Sequence, residues 1–244
     1  MFSEEVTIEI FEWYKNLEQR LLEVTNILPI VNEADLKRYR SPRLVPILVE
    51  TCSIIDTLFR AAIPEKFNRP TGRETTRRGA NIYDYYRELE KTFQLTNTKT
   101  LLLYGKPSIL SPFDKWSEDS NKPMEWWKTY NRLKHDRLKA SNEANLFHCI
   151  NALCALMQVM TKFSSIMEFS LRVNWIQTAG YNPVLAIEDV CKINDSKYVT
   201  YSELFATFLA PNTWQTVDDI RPINIRNSDK LIAHLGRLEA KHEI

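Results

Sequence analysis

Residues 125–137 read EWWKTYNRLKHDR and place two tryptophans, a tyrosine, one histidine and four basic residues in thirteen positions. Each helical residue advances about 100° around the axis. On that wheel Trp126, Tyr130 and Leu133 share one face. Lys128, Asn131, Arg132, His135 and Lys139 share the opposite one. The stretch therefore reads as an amphipathic helix with an aromatic core face and a basic outer face.

The surrounding sequence repeats this helical period. Residues 3–27 carry Val6, Ile10, Trp13 (or Tyr14), Leu17, Leu21 and Val24 at helical spacing, and Pro29 stops the run. A short helical turn is expected over 32–39. A second long helix is expected over 43–61, RLVPILVETCSIIDTLFRA, with Pro46 in its first turn, where proline is tolerated. A basic loop follows at 64–80, PEKFNRPTGRETTRRGA, and a third helix at about 80–94. Residues 95–123 read as a long connector containing Pro107, Pro112 and Pro123. The fourth helix begins near Met124, runs to about 139 and resumes over 141–171. Its apolar centre marks it as the buried helix. Beyond residue 173, TYSELFATFLA (200–210) and NSDKLIAHLGRLEAK (227–241) read as helical. With five glycines in 244 residues, the expected class is all-α.

A chain of this length and 44% apolar content builds its own core. A net charge of +1 gives no global attraction to nucleic acid, so local clusters must supply any such binding. The four cysteines, Cys52, Cys149, Cys154 and Cys191, form no C-x-x-C and read as reduced thiols. The acidic N-terminal segment does not resemble a signal peptide. The apolar stretch 146–169 contains Asn151, Gln158, Lys162 and Glu168 and reads as a core helix, not a membrane span. A cytoplasmic protein is expected.

The basic face of 125–139 admits two readings. It is a solvated surface over a packed aromatic stripe, or it is a site for a phosphodiester. An imidazole can act as general acid or base near neutral pH, and cations can stabilise charge developing on a phosphate. Arg69, Arg73, Arg77 and Arg78 in the 64–80 loop face only Glu65 and Glu74, so Arg77 and Arg78 are further candidate anion contacts. Among the remaining histidines, His148 reads as a core residue. No H-E-x-x-H, paired Cys/His cluster or G-x-S-x-G is present, so no metal, cofactor or serine hydrolase is expected.

The chain resembles the HEPN superfamily of small helical domains. The likeness rests on the four long helices, on VETCSIIDTLFR (49–60) with Glu50 and Asp56 inside an apolar helix, and on WWKTYNRLKHDR (126–137). It implies a HEPN-like helical bundle over 1–172 with a mostly helical C-terminal extension over 173–244. Many members are metal-independent RNases of defence or toxin–antitoxin systems that form a composite groove as dimers. Others are non-catalytic interaction modules in protein complexes. Carried onto this sequence, the resemblance implies His135 as acid/base, with Lys128 and Asn131 completing the catalytic set. RNA contacts would come from Arg132, Lys134, Arg137, Lys139, Arg77 and Arg78. The family's active signature has an arginine and a histidine with four to six residues between them, and Lys128, with six residues between it and His135, stands in the arginine's place here. A second partial match, IRNSDKLIAH (225–234), offers Arg226 and His234. Glu50 and Asp56 are expected to pair with the basic motif or to be capped or exposed. The expected partners are RNA and either a second copy or another protein, and no membrane.

Overall fold

The computed structural model describes residues 2–26, 33–104, 108–118, 124–178 and 198–208. In chain order the helices are α1 Glu4–Thr25, α2 Glu33–Arg38, α3 Leu44–Ala62, α4 Ile82–Phe93, α5 Glu125–His135, α6 Arg137–Ala140, α7 Leu146–Met160 and α8 Ser164–Arg172. The strands are β1 Lys66–Asn68, β2 Glu74–Thr76, β3 Thr100–Leu102, β4 Ser108–Leu110, β5 Ile176–Thr178, β6 Tyr198–Tyr201 and β7 Phe205–Phe208. The described chain is mostly helical, as the periodicity predicts. It also carries a five-stranded antiparallel sheet, β4-β3-β7-β6-β5, which the all-α expectation does not include. The described residues group into two units. One draws on Met1–Asn32, Thr98–Ser111 and Met160–Ile244, the other on Glu33–Asn97 and Pro112–Val159. These units interleave along the chain.

In the first unit, Ser3 caps α1 by accepting from the Val6 amide at 3.3 Å. Of the two aromatics at the ambiguous position, Tyr14 is fully buried and Trp13 is half exposed. Phe11 packs edge-on against Phe169 of α8 at 5.3 Å and Trp175 at 4.7 Å. Residues 198–208 form the β6–β7 hairpin, where a helix is expected from 200 onward. Thr200, Phe205, Ala206 and Thr207 are all fully buried in the sheet, and the Thr100 and Thr207 hydroxyls bond across β3 and β7. Threonine and phenylalanine suit a pleated, half-buried surface better than a helix. The 227–241 segment lies outside the described residues.

The turn of that hairpin is held by a buried carboxylate on α1. Glu18 accepts from the Leu204 amide at 3.0 Å, from the Tyr14 hydroxyl at 3.2 Å and from the Ser202 hydroxyl. Burial raises the Glu18 pKa above its ordinary value, and these hydrogen bonds offset part of the rise. The folded state thus binds this proton more tightly than the unfolded chain. Its stabilisation is full below the ordinary carboxyl value of 4.5 and is lost as the pH climbs through the raised one. Urea melts of wild type and Glu18→Gln between pH 4 and 8 test this. The stability of wild type relative to Glu18→Gln should fall steadily with pH, and parallel curves would refute the assignment.

In the second unit, α3 matches its expected span and keeps Pro46 in its first turn. Helix α4 begins with a complete capping box between Asn81 and Asp84 and ends at Gln94 in the left-handed region, φ 49°. Aromatic rings tie α3, α4 and α5 together through the Phe113–Trp116 turn. Phe59 stacks on Trp116 at 5.2 Å and meets Tyr85 at 5.3 Å, and Phe113 meets Trp126 at 5.7 Å. The indole N–H groups of Trp116 and Trp126 donate to the Ile82 and Pro112 carbonyls, both at 2.9 Å. Helix α5 stops at His135, short of the expected 139. Asp136 leaves helical geometry there (φ −148°, ψ 81°), and its side chain accepts from the Lys139 amide at 3.2 Å to start α6. Helix α7 starts at Leu146, where the Asn145 side chain accepts from the His148 amide at 2.8 Å. Residues 161–163 separate α7 from α8, and the chain passes from the second unit to the first at the end of α7, between Val159 and Met160.

Asp84 joins the β1–β2 hairpin to α4. Its carboxylate is 1% exposed and accepts from Arg69 Nη2 at 2.7 Å, from Arg87 and from the Asn81 amide at 3.0 Å. Removing Asp84 takes the acceptor from two partly exposed guanidinium groups and from the Asn81 amide, and losing hydrogen bonds to a charged group of this kind costs about 1.5–3 kcal/mol. Asp84→Ala should lower stability by that amount in chemical denaturation, and a loss within about 0.5 kcal/mol, typical of a surface change, would exclude this role.

Candidate functional site

Helix α5 divides as its periodicity predicts. Trp126, Tyr130 and Leu133 are at most 3% exposed, and Trp127 and Thr129 are buried with them. The other face opens onto a cleft of about 840 Å³. Lys128, Asn131, Arg132, Lys134 and His135 line it from α5, and Asp136, Lys139 and Ala140 from α6 and its start. Asp56 and Arg60 contribute from α3, Arg78 through Tyr83 apart from Gly79 from the approach to α4, and Glu143 from the turn after α6.

Most of the sequence candidates meet here. His135, Lys128, Asn131, Arg132, Lys134, Lys139, Arg78 and Asp56 all line the cleft. Arg77, Arg137 and Glu50 do not, and Glu50 is exposed on α3. Arg226 and His234 lie outside the described residues. Asp56 does not reach the α5 motif by an ion pair. It pairs with Arg60 one turn along α3 and accepts from the Tyr85 hydroxyl at 2.8 Å. Burial and the Asp56 charge push the Tyr85 phenol well above its usual range, which keeps it a neutral donor.

The charges do not cancel. Six cations line the cleft: Arg60, Arg78, Lys128, Arg132, Lys134 and Lys139. Three carboxylates, Asp56, Asp136 and Glu143, oppose them. Each carboxylate holds one cation. Asp56 holds Arg60, Asp136 holds Lys139 at 3.1 Å, and Glu143 takes Arg132 Nη1 at 2.8 and 2.9 Å. Arg78, Lys128 and Lys134 make no ion pair with another described residue. The Lys134 ammonium lies 5.7 Å from the centre of the Tyr130 ring. The cleft thus presents three uncompensated positive charges and one imidazole.

His148 plays a supporting part, as a core histidine should. Its Nδ1 lies 3.2 Å from the Thr129 hydroxyl and 3.1 Å from the Glu143 carbonyl, which ties the Glu143 turn to α5. Burial lowers its pKa and keeps it neutral at pH 7. Cys52, Cys149 and Cys154 are buried free thiols. Among the described residues no cluster of three His, Cys, Asp or Glu side chains is placed to hold a metal ion. No single helix among them is long and apolar enough to cross a membrane.

Sequence reading missed Arg60, Tyr83 and Glu143. The Asp56/Arg60 spacing of four is a helix-pair signal that identifies the ion pair. Tyr83 and Glu143 enter the cleft through the fold of the 64–83 loop and the turn after α6, which no local pattern marks. No family model, curated protein or solved structure matches this chain.

Glu143 competes with any anion for Arg132. Both side chains are substantially exposed, 54% for Arg132 and 38% for Glu143, so their pairing is weak and exchangeable. Glu143→Gln should tighten binding of a polyanion such as polyphosphate several-fold in low-salt titrations. Adding Arg132→Ala to that variant should abolish the gain, and a gain that survives it would place the effect elsewhere.

Proposed function

We propose that the chain is a HEPN-like RNA-binding protein that holds the sugar–phosphate backbone in the α3–α4–α5–α6 cleft. The observation that carries this reading is the set of uncompensated cations, Arg78, Lys128 and Lys134, gathered with His135 around one cleft in a chain whose net charge is only +1. Lys128 and His135 lie seven residues, or about 10 Å, apart along α5. They therefore lie along the run of a bound strand, with phosphates held by point charges instead of a bidentate arginine fork.

RNA suits this site because its 2′-hydroxyl is an internal nucleophile. In the cleaving form of the proposal, the His135 imidazole takes the proton of a 2′-hydroxyl as that oxygen attacks the neighbouring phosphorus. The 5′-oxygen of the next nucleotide leaves and takes up a proton, and a 2′,3′-cyclic phosphate remains. Lys128 neutralises charge on the non-bridging oxygens, and Asn131 orients the reacting groups by hydrogen bonding. Lysine in place of the family's arginine favours a second reading, a non-catalytic HEPN-like interaction or scaffold module in a protein complex.

Fluorescence anisotropy with a labelled single-stranded RNA tests binding. Three phosphate contacts predict a slope of log K against log salt of roughly −2, and Lys128→Ala/Lys134→Ala should remove most of it. Undetectable or salt-independent binding overturns the proposal. Loss of the cyclic-phosphate product in His135→Ala, with binding retained, assigns cleavage to His135. Binding without any product in wild type assigns the chain to the non-catalytic class.

A further inference from the structure

A second run of positive charge lies outside the cleft, in the linker between α2 and α3. Residues 38–43 read RYRSPR, three arginines in six positions with no carboxylate among them. Arg38, Arg40 and Arg43 are all exposed, and none makes a side-chain hydrogen bond or ion pair with another described residue. Glu33, one turn before the run, is taken by Lys37 at 2.7 Å. Clustered like charge adds no attraction within the fold, whereas the guanidinium fork matches pairs of phosphate oxygens.

The linker abuts one edge of the cleft, within the same unit. Arg40 forms an antiparallel bridge with Asn145, and the Leu146 amide donates to the Tyr39 carbonyl at 3.0 Å. Asn145 lies two residues beyond Glu143, which lines the cleft. A bridge spans at most about 5.5 Å between Cα atoms and two residues at most about 7 Å, so the Cα atoms of Arg40 and Glu143 lie within about 13 Å. The carboxylate at that edge does not oppose the linker arginines, because both its oxygens accept from Arg132.

Two sets of unopposed cations on one unit, separated by a neutralised turn, fit an anion that repeats its charge along its length. A single phosphate reaches one set; a strand of phosphates reaches both. We propose that the RNA strand leaves the cleft past the Glu143 turn and continues onto Arg38, Arg40 and Arg43, so that the protein selects strands long enough to occupy both. This rests on the reading of the cleft as an RNA site and goes beyond it by assigning a second set of phosphate contacts and a length requirement.

Anisotropy titrations over a range of salt compare wild type with Arg38→Gln/Arg40→Gln/Arg43→Gln. The ligands are single-stranded RNAs of about 4 and about 16 nucleotides, the two ends of the range of site sizes in single-strand binders. The cleft contacts alone set a slope of log K against log salt of roughly −2 for the short strand, and three further contacts should bring the long strand to about −4. The variant should return the long strand to roughly −2 and leave the short strand unchanged. On lengthening, wild type should gain at least about tenfold more affinity than the variant at low salt. The number of binding registers on a long strand is the same for both proteins and cancels in that comparison. Equal wild-type slopes on the two strands overturn the inference however the variant folds. A variant that keeps the steep slope, or that loses equal affinity for both lengths, overturns it too, and each of these results leaves the cleft standing as an RNA site. Failure of wild type to bind either strand removes both.

Discussion

A carboxylate with almost no access to water, that of Asp84, fixes one side of the cleft. The β1–β2 hairpin has strands of three residues, and a two-stranded ribbon of that size is marginal alone. Arg69, at the hairpin's outer end, reaches back to Asp84 through Nε and Nη2 and also donates to the Gly79 carbonyl at 2.9 Å. Residues 69–84 are thereby closed into a loop whose two ends share one ion pair. Arg78 and Tyr83 lie within it, so both sit in a segment anchored by a buried charge that does not itself line the cleft. Desolvating Asp84 is costly, and two guanidinium groups and a backbone amide offset that cost.

The helical half of this architecture is legible in the sequence because long amphipathic runs carry their own period. Helix α3 falls within one residue of its expected ends, and the two faces of α5 separate as the wheel predicts. Three-residue strands have no period to read, so Leu101 and Leu102, now buried in β3, look like part of a connector. The 200–210 segment misleads for a different reason. Leu204, Phe205 and Phe208 are spaced like one helix face, yet Glu18, 186 positions away from Leu204, bonds the turn that makes them a hairpin. Long-range hydrogen bonding of this kind leaves no local trace.

The candidate site follows the same division. Its α5 members are found by period and residue type. Arg60 and Tyr83 join only because α3 and α4 pack beside α5 around the Phe59, Trp116 and Phe113 rings. The carboxylates matter as much as the cations. Asp56, Asp136 and Glu143 each neutralise one neighbour, so a bare count of basic residues in 125–139 overstates the charge a ligand would meet.

The chain has two joints of opposite character beside this cleft. At the hairpin tip, Gly72 adopts φ 77° in open space, and its amide closes a small turn onto the Arg69 carbonyl at 2.8 Å. Exposed tips of this kind accept extra residues at little cost. Between α5 and α6 there is no spacer at all, because Asp136 ends one helix and caps the next. One residue added or removed there would turn α6 about its axis and carry Lys139 out of the cleft. Variation in chain length should therefore accumulate at 70–73 and be absent at 135–137, where the spacing between His135 and Lys139 is set by a single shared residue.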